Sequence, residues 1–155
     1  MKNILIPLAF MSACALPALA ADPSPNGITI PDGYKDWRLV SVHQRTDNNT
    51  IRAVLGNDLA INAAREGKTN PWPEGTVLAK LVWKNSKHDK WEAAIAPGAF
   101  VHAEFMIKNS EKYSATGGWG FARWLGQDQK PYGKDANFVQ RFPILCAKSF
   151  HRPIV

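Results

Sequence analysis

The chain has 155 residues, 45% of them hydrophobic, with 19 basic against 13 acidic side chains and a formal net charge of +6. That length is enough for one domain with a buried core. The basic residues are scattered, and no Lys/Arg run interleaves with aromatics, which argues against nucleic acid and leaves acidic proteins or an anionic envelope surface as natural contacts.

Residues 1–20 read as a secretory signal. Lys2 supplies the positive start, residues 4–16 the apolar run, and Ala18-Leu19-Ala20 the small-x-small cleavage pattern. Pro7 and Pro17 interrupt the run, which is too short for a membrane span. Cleavage after Ala20 predicts a periplasmic or secreted protein. Cys14 leaves with the signal, so Cys146 stands without an internal disulfide partner in an oxidising compartment.

Residues 21–30 form a Pro/Asn/Gly-rich lead-in that reads as loose. Alternation over 38–45 predicts a strand with Val40 and Val42 on one face and Leu39, Ser41 and His43 on the other. Asp47-Asn48-Asn49 turns the chain into a returning strand over 50–55. Residues 57–66 read as a short helix capped by Asn57, apolar at Leu59, Ala60 and Ala63, and ended by Gly67. Two prolines make 70–75 a loop. A strand is predicted over 76–84, then a polar turn over 85–90. A further strand over 91–95 is broken by Pro97-Gly98, and a clear strand covers 100–108 with Val101, Ala103, Phe105 and Ile107 facing one way. Residues 110–114 suit one helical turn, 119–125 a closing strand and 126–133 a loop. Asp135 then caps a helix that Pro143 terminates. The sum is an α+β single domain, a mostly antiparallel β-sheet with two or three short helices.

Three places carry chemistry. Lys80 lies in a strand apolar on both faces. There it is either buried, desolvated and driven toward the neutral nucleophilic amine, or set near a sheet end with its head in water. His102 and Glu104 share the face opposite Phe105, as a proton-handling pair or as a solvated strand face. Ala115-Thr-Gly-Gly-Trp-Gly-Phe-Ala-Arg-Trp124 places Trp119, Phe121 and Trp124 beside three glycines. That segment suits the wall of a flat apolar cofactor or a tight turn into a core-facing strand. His43 and His88 have no ligand-like spacing, and neither a zinc pattern nor a Ser/His/Asp or Cys/His constellation is present.

Ile30-Pro-Asp-Gly-Tyr-Lys-Asp-Trp37, the strand Thr76-Val-Leu-Ala-Lys-Leu-Val82, Phe100-Val-His-Ala-Glu-Phe-Met106 and the Gly-Gly-Trp-Gly-Phe segment at 117–121 occur in an order that resembles the cytochrome P-460 family, from about Ile30 to Phe142. The resemblance implies an exported bacterial c-type haem protein of mostly antiparallel β fold, commonly a homodimer. It also implies a small nitrogen compound or gas as ligand and a periplasmic electron acceptor. In the hydroxylamine-oxidising members a strand lysine is bonded to the haem macrocycle, and Lys80 falls at the similar position. The related cytochromes c′-β bind nitric oxide and carbon monoxide. By position, Glu104 and Arg123 offer polar groups to a bound substrate, and Trp119, Phe121 and Trp124 offer pocket walls.

The C-terminus departs from the family. The resemblance calls for Cys-x-x-Cys-His, two thioether cysteines and the iron ligand, whereas the chain reads Arg141-Phe-Pro-Ile-Leu-Cys-Ala-Lys-Ser-Phe-His151. With Cys146 as the second cysteine, Pro143 replaces the first and Ala147 the histidine, leaving His151 as the candidate iron ligand. The loss of family character there reads as a frameshift or a diverged terminus. Residues 31–155 are thus a cytochrome P-460-like domain with an atypical end. Its expected function is hydroxylamine oxidation or gas binding at a lysine-modified haem c. The alternative is a haem-free degenerate copy serving as a periplasmic ligand- or partner-binding scaffold.

Overall fold

The computed structural model describes residues 21–134. The predicted signal, the helix capped by Asp135, Cys146 and His151 lie outside them. Six strands pair antiparallel in strict chain order. They are β1 (Arg38–Arg45), β2 (Thr50–Gly56), β3 (Val77–His88), β4 (Trp91–Lys108), β5 (Trp119–Leu125) and β6 (Lys130–Pro131). One helix, α1 (Asp58–Arg65), and two 3-10 turns, Tyr34–Asp36 and Ser114–Thr116, complete the described part. It is mostly β, with a smaller helical share than an even α+β balance implies.

Local chemistry explains most boundaries. The Asn57 side chain accepts from the Ala60 N–H and caps α1, as predicted. The same side chain accepts from Val77 N–H and donates to the Gly75 carbonyl, tying the helix start to β3. The buried face of α1 is Ala60, Ile61 and Ala63. Leu59, predicted on that face, is exposed, and Ile61 takes its place. In β1 the register slips between Leu39 and Ser41. The extra residue breaks the alternation, so Val40 is buried while Val42 is exposed, contrary to the shared face predicted for them.

The largest departure is a long hairpin arm. The polar turn predicted over 85–90 shrinks to Asp89-Lys90, and β3 and β4 run on to either side of it. Pro97 does not break β4: it pairs with Asn85 where the β3–β4 register shifts. A residue without an N–H is tolerated at such an irregularity. The predicted 126–133 loop contains the short β6.

The sheet has two unlike faces. On one, Phe105 and Trp124 meet edge to face at 5.6 Å, and Tyr34 closes on Phe105 at 5.0 Å. Burying each of these large rings contributes about 2–3 kcal/mol. The lead-in is held rather than loose. Trp124 Nε1 donates to the Asp22 carbonyl, Asn26 Nδ2 donates to the Phe121 carbonyl, and Ile28 is buried. The opposite face begins with an apolar row, Gly56–Leu78–Met106–Phe121, partly roofed by α1 through Ala60. Two mixed rows follow it: Val54–Lys80–Glu104–Arg123, then Arg52–Val82–His102–Leu125.

Candidate functional site

Strand register assembles the site. Lys80 on β3, Glu104 on β4 and Arg123 on β5 are direct neighbours across three adjacent strands, so their side chains project together. Lys80 Nζ contacts Glu104 Oε2, and Arg123 Nη2 contacts Glu104 Oε1. His102, two residues before Glu104, brings Nε2 to 3.4 Å from the same Oε1. Their side chains are only 14–19% exposed. A solvated strand face is therefore the wrong reading of His102 and Glu104. Lys80 sits in the middle of the sheet, with β2 on one side and β4 on the other, and its head meets a carboxylate instead of reaching bulk water.

Burial pushes the Glu104 carboxyl up, but the hydrogen bond from His102 and the charges of Lys80 and Arg123 outweigh it, holding the group well below the usual carboxylate range. The result is a largely buried carboxylate that stays ionised. Removing one member of such a cluster leaves uncompensated charge and costs about 3–5 kcal/mol. Arg123 is itself placed from behind. Its guanidinium lies 5.2 Å from the Tyr132 ring centroid, and Tyr132 N–H donates to the Arg123 carbonyl at 2.8 Å.

The glycine-rich segment serves the fold. Gly117 and Gly118 have φ of +70° and +82° and form the turn into β5. A Cβ on Gly118 would strike Lys108 Nζ, and one on Gly120 would strike the Tyr113 ring. The space these glycines open is filled by the chain's own side chains. Trp119 and Phe121 are buried on the Arg123 side of β5, Trp119 stacking with Lys108 at 5.8 Å. Trp124 is fully buried on the opposite face, against Phe105. The structure thus joins Lys80, Glu104 and Arg123, places Phe121 and Trp119 successively farther along the same face, and puts Trp124 in the other core.

Sequence reading missed two residues. Arg52 stands in the His102 row, which the alternation from Val54 would have given. Tyr132 directly follows the two-residue β6, where there is no periodicity to detect. His43 contacts Ser41 Oγ at 3.0 Å, and His88 lies near the arm tip, where its Nδ1 accepts from Lys90 N–H.

Among the described residues no group of three His, Cys, Asp or Glu side chains is placed to hold a metal ion. On the described face the apolar row Leu78–Met106–Phe121 is itself buried, and the Lys80 amine and the fixed Glu104 carboxylate lie in the row beside it. The cytochrome P-460 family model matches residues 31–146, three quarters of the chain, and its match stops at Cys146. No curated protein matches the sequence.

Proposed function

Because the chain belongs to the cytochrome P-460 family of haem proteins, we propose that it is an exported protein oxidising hydroxylamine at the Lys80–Glu104–Arg123 face. The carrying observation is Glu104, an ionised carboxylate kept largely from water and held by three neighbours. Hydroxylamine offers N–H and O–H donors that such a group accepts, and its oxidation releases protons that need an acceptor. Nitric oxide and carbon monoxide offer no donor, which ranks the hydroxylamine reading above simple gas binding.

Haem, when bound, supplies an iron centre that takes electrons from the substrate and passes them to a periplasmic acceptor. Lys80 is the residue to bond the ring edge. Cys146 is the thioether candidate and His151 the iron-ligand candidate, both outside the described residues. Bonding Lys80 to a ring edge would remove one of the charges that hold the Glu104 carboxyl low, and Glu104 Oε2, the oxygen that faces Lys80, would then accept the substrate proton, while Arg123 holds Oε1 and Tyr132 backs Arg123. Export follows from the Ala18-Leu19-Ala20 pattern, and a homodimer is supported by the exposed Trp91 and Ile95 on the hairpin arm. One observation favours the haem-free scaffold instead: the sequence holds no Cys-x-x-Cys-His.

The deciding experiment expresses the chain with cytochrome c maturation machinery, then applies a haem stain after denaturation, an absorption spectrum and a hydroxylamine assay. Stained protein with a red-shifted ferrous Soret band and turnover is the expected result. A folded, colourless product would select the scaffold. His151→Ala is expected to abolish the Soret band, and an unchanged spectrum would remove His151 as ligand.

A further inference from the structure

The outer hairpin arm is mostly exposed, and its two faces follow from register. Wherever the β3–β4 pairing shifts, the extra residues fall on β4, so β3 alternates without interruption. Lys84, Ser86 and His88 therefore continue the face that carries Lys80 and Val82, and Asn85 and Lys87 belong to the reverse. Cross-strand partners share a face. Trp91, paired with His88, thus stands on the Lys84 side, whereas Ile95, paired with Lys87, stands on the reverse. Toward the base of the arm, Arg45 and Lys84 flank Thr50 in one row, and His43 faces Arg52 in the row inside it.

One face of the molecule therefore runs from a patch of cations to an exposed indole. Arg45, Lys84, His88 and Lys90 are exposed, and Trp91 is 67% exposed. Asp47 offsets Arg45, and Asp89 and Glu92 flank the tip. The positive excess thus centres on Lys84 at the base, and the apolar body lies at the tip. We propose that this face docks on an anionic lipid bilayer, with Trp91 entering the headgroup layer and Lys84 and Arg45 facing lipid phosphates. An indole has an apolar body and one N–H donor, a combination that belongs at a membrane–water boundary. Lysine and arginine reach that boundary with their stems packed and their heads in the polar layer. Charge complementarity selects an anionic surface for a chain of formal net charge +6. The β3 side chains on the Trp91 face are His88, Ser86 and Lys84, a polar collar that suits headgroups better than the apolar centre of a protein interface. Glu104 lies two rows inward, so this surface is separate from the proposed site. Ile95, on the reverse, stays available to a second copy.

The test is sedimentation of the full chain with vesicles of phosphatidylcholine, alone or with about 30% phosphatidylglycerol, in about 0.05 M and about 0.5 M sodium chloride. Residues 1–20 are apolar too, so every variant keeps the wild-type N-terminus and the quantity read is the excess binding to anionic over neutral vesicles. A clear excess that high salt removes is the expected result. Lys84→Gln is expected to weaken it about fivefold, Trp91→Ala about tenfold, and Ile95→Ser to leave it unchanged. Trp91 emission, taken as the difference between wild type and Trp91→Phe, is expected to be quenched by lipids brominated near the headgroup. No anionic excess, an excess untouched by both Lys84→Gln and Trp91→Ala, or an unquenched Trp91 would each overturn the proposal. Binding to soluble polyglutamate but not to vesicles would overturn it in favour of an acidic protein. A dimer that Trp91→Ala splits, with vesicle binding unchanged, would overturn it in favour of a second copy.

Discussion

Glu104 separates the hydroxylamine reading from gas binding more sharply than any other residue. Glu104→Gln keeps size and one acceptor but cannot take a proton in the working range. In the haem-loaded chain it is expected to lower hydroxylamine turnover about 100-fold, while carbon monoxide affinity stays within twofold of wild type. Steady-state kinetics beside a carbon monoxide titration check both halves, and equal losses in the two would point to a damaged haem site instead. Lys80→Met, in the same chain, is expected to move the ferrous Soret band toward that of an ordinary c-type haem; an unmoved band would mean that Lys80 is not bonded to the ring. Alternation in the sequence showed that His102 and Glu104 share a face. It left open whether water reaches them, because that depends on the β3 and β5 registers that bring Lys80 and Arg123 alongside. Such registers are tertiary facts. The aromatic segment failed in a related way: composition made Trp119, Phe121 and Trp124 look like one wall, but a period of two sends Trp124 to the other face.

At the scale of elements, legibility followed how local the determining interaction is. Asn57 was readable as a cap because its main partner is three residues away. Its tie to β3 through Val77 and Gly75 was not readable, since it joins positions about twenty residues apart. Asn57→Ala is therefore expected to cost the upper part of the usual capping range, about 2 kcal/mol, with Asn57→Asp recovering the acceptor contacts but not the donation to Gly75. Urea unfolding of the two variants measures the difference, and a loss no larger than a few tenths would show that the β3 tie is unimportant. Gly120→Ala tests the glycine-rich segment. The added Cβ meets the Tyr113 ring, and overpacking of this kind costs about 1–3 kcal/mol. Gly120→Ala/Tyr113→Ala is expected to recover part of that loss, whereas a cofactor seated over Gly120 would leave the double variant no better. The hairpin arm escaped prediction because Pro97-Gly98 is an ordinary stop signal. Here the register irregularity opposite Pro97 absorbs the missing N–H, and Gly98 lets β4 pass close to Lys84 and Ser86 of β3.

For the whole molecule, the buried cluster sets how folding responds to acid. In the unfolded chain Glu104 titrates near the ordinary value of about 4.3, whereas in the fold it is held well below that range. Between these two values the unfolded chain binds more protons, so stability rises with pH there. The contribution of Glu104 is complete above the unfolded value and is lost as pH falls toward the folded one. Glu74 and Asp47 are held low as well, by Ser110 and by Arg45 respectively, but both are exposed. Their shares are screened by salt, whereas that of the largely buried Glu104 is screened much less. The expected outcome, for the chain without haem, is a stability that falls steeply between pH 5 and pH 3 in about 0.5 M as in about 0.05 M sodium chloride, two concentrations whose screening lengths differ roughly threefold. Glu104→Gln should start lower at pH 6, because its cations lose their counter-charge, and then change less with acidification. Urea denaturation across that range provides the check. A wild-type slope that vanishes in high salt, or a Glu104→Gln slope equal to wild type, would mean that exposed carboxylates govern the acid response and that the cluster is not held as tightly as its geometry indicates.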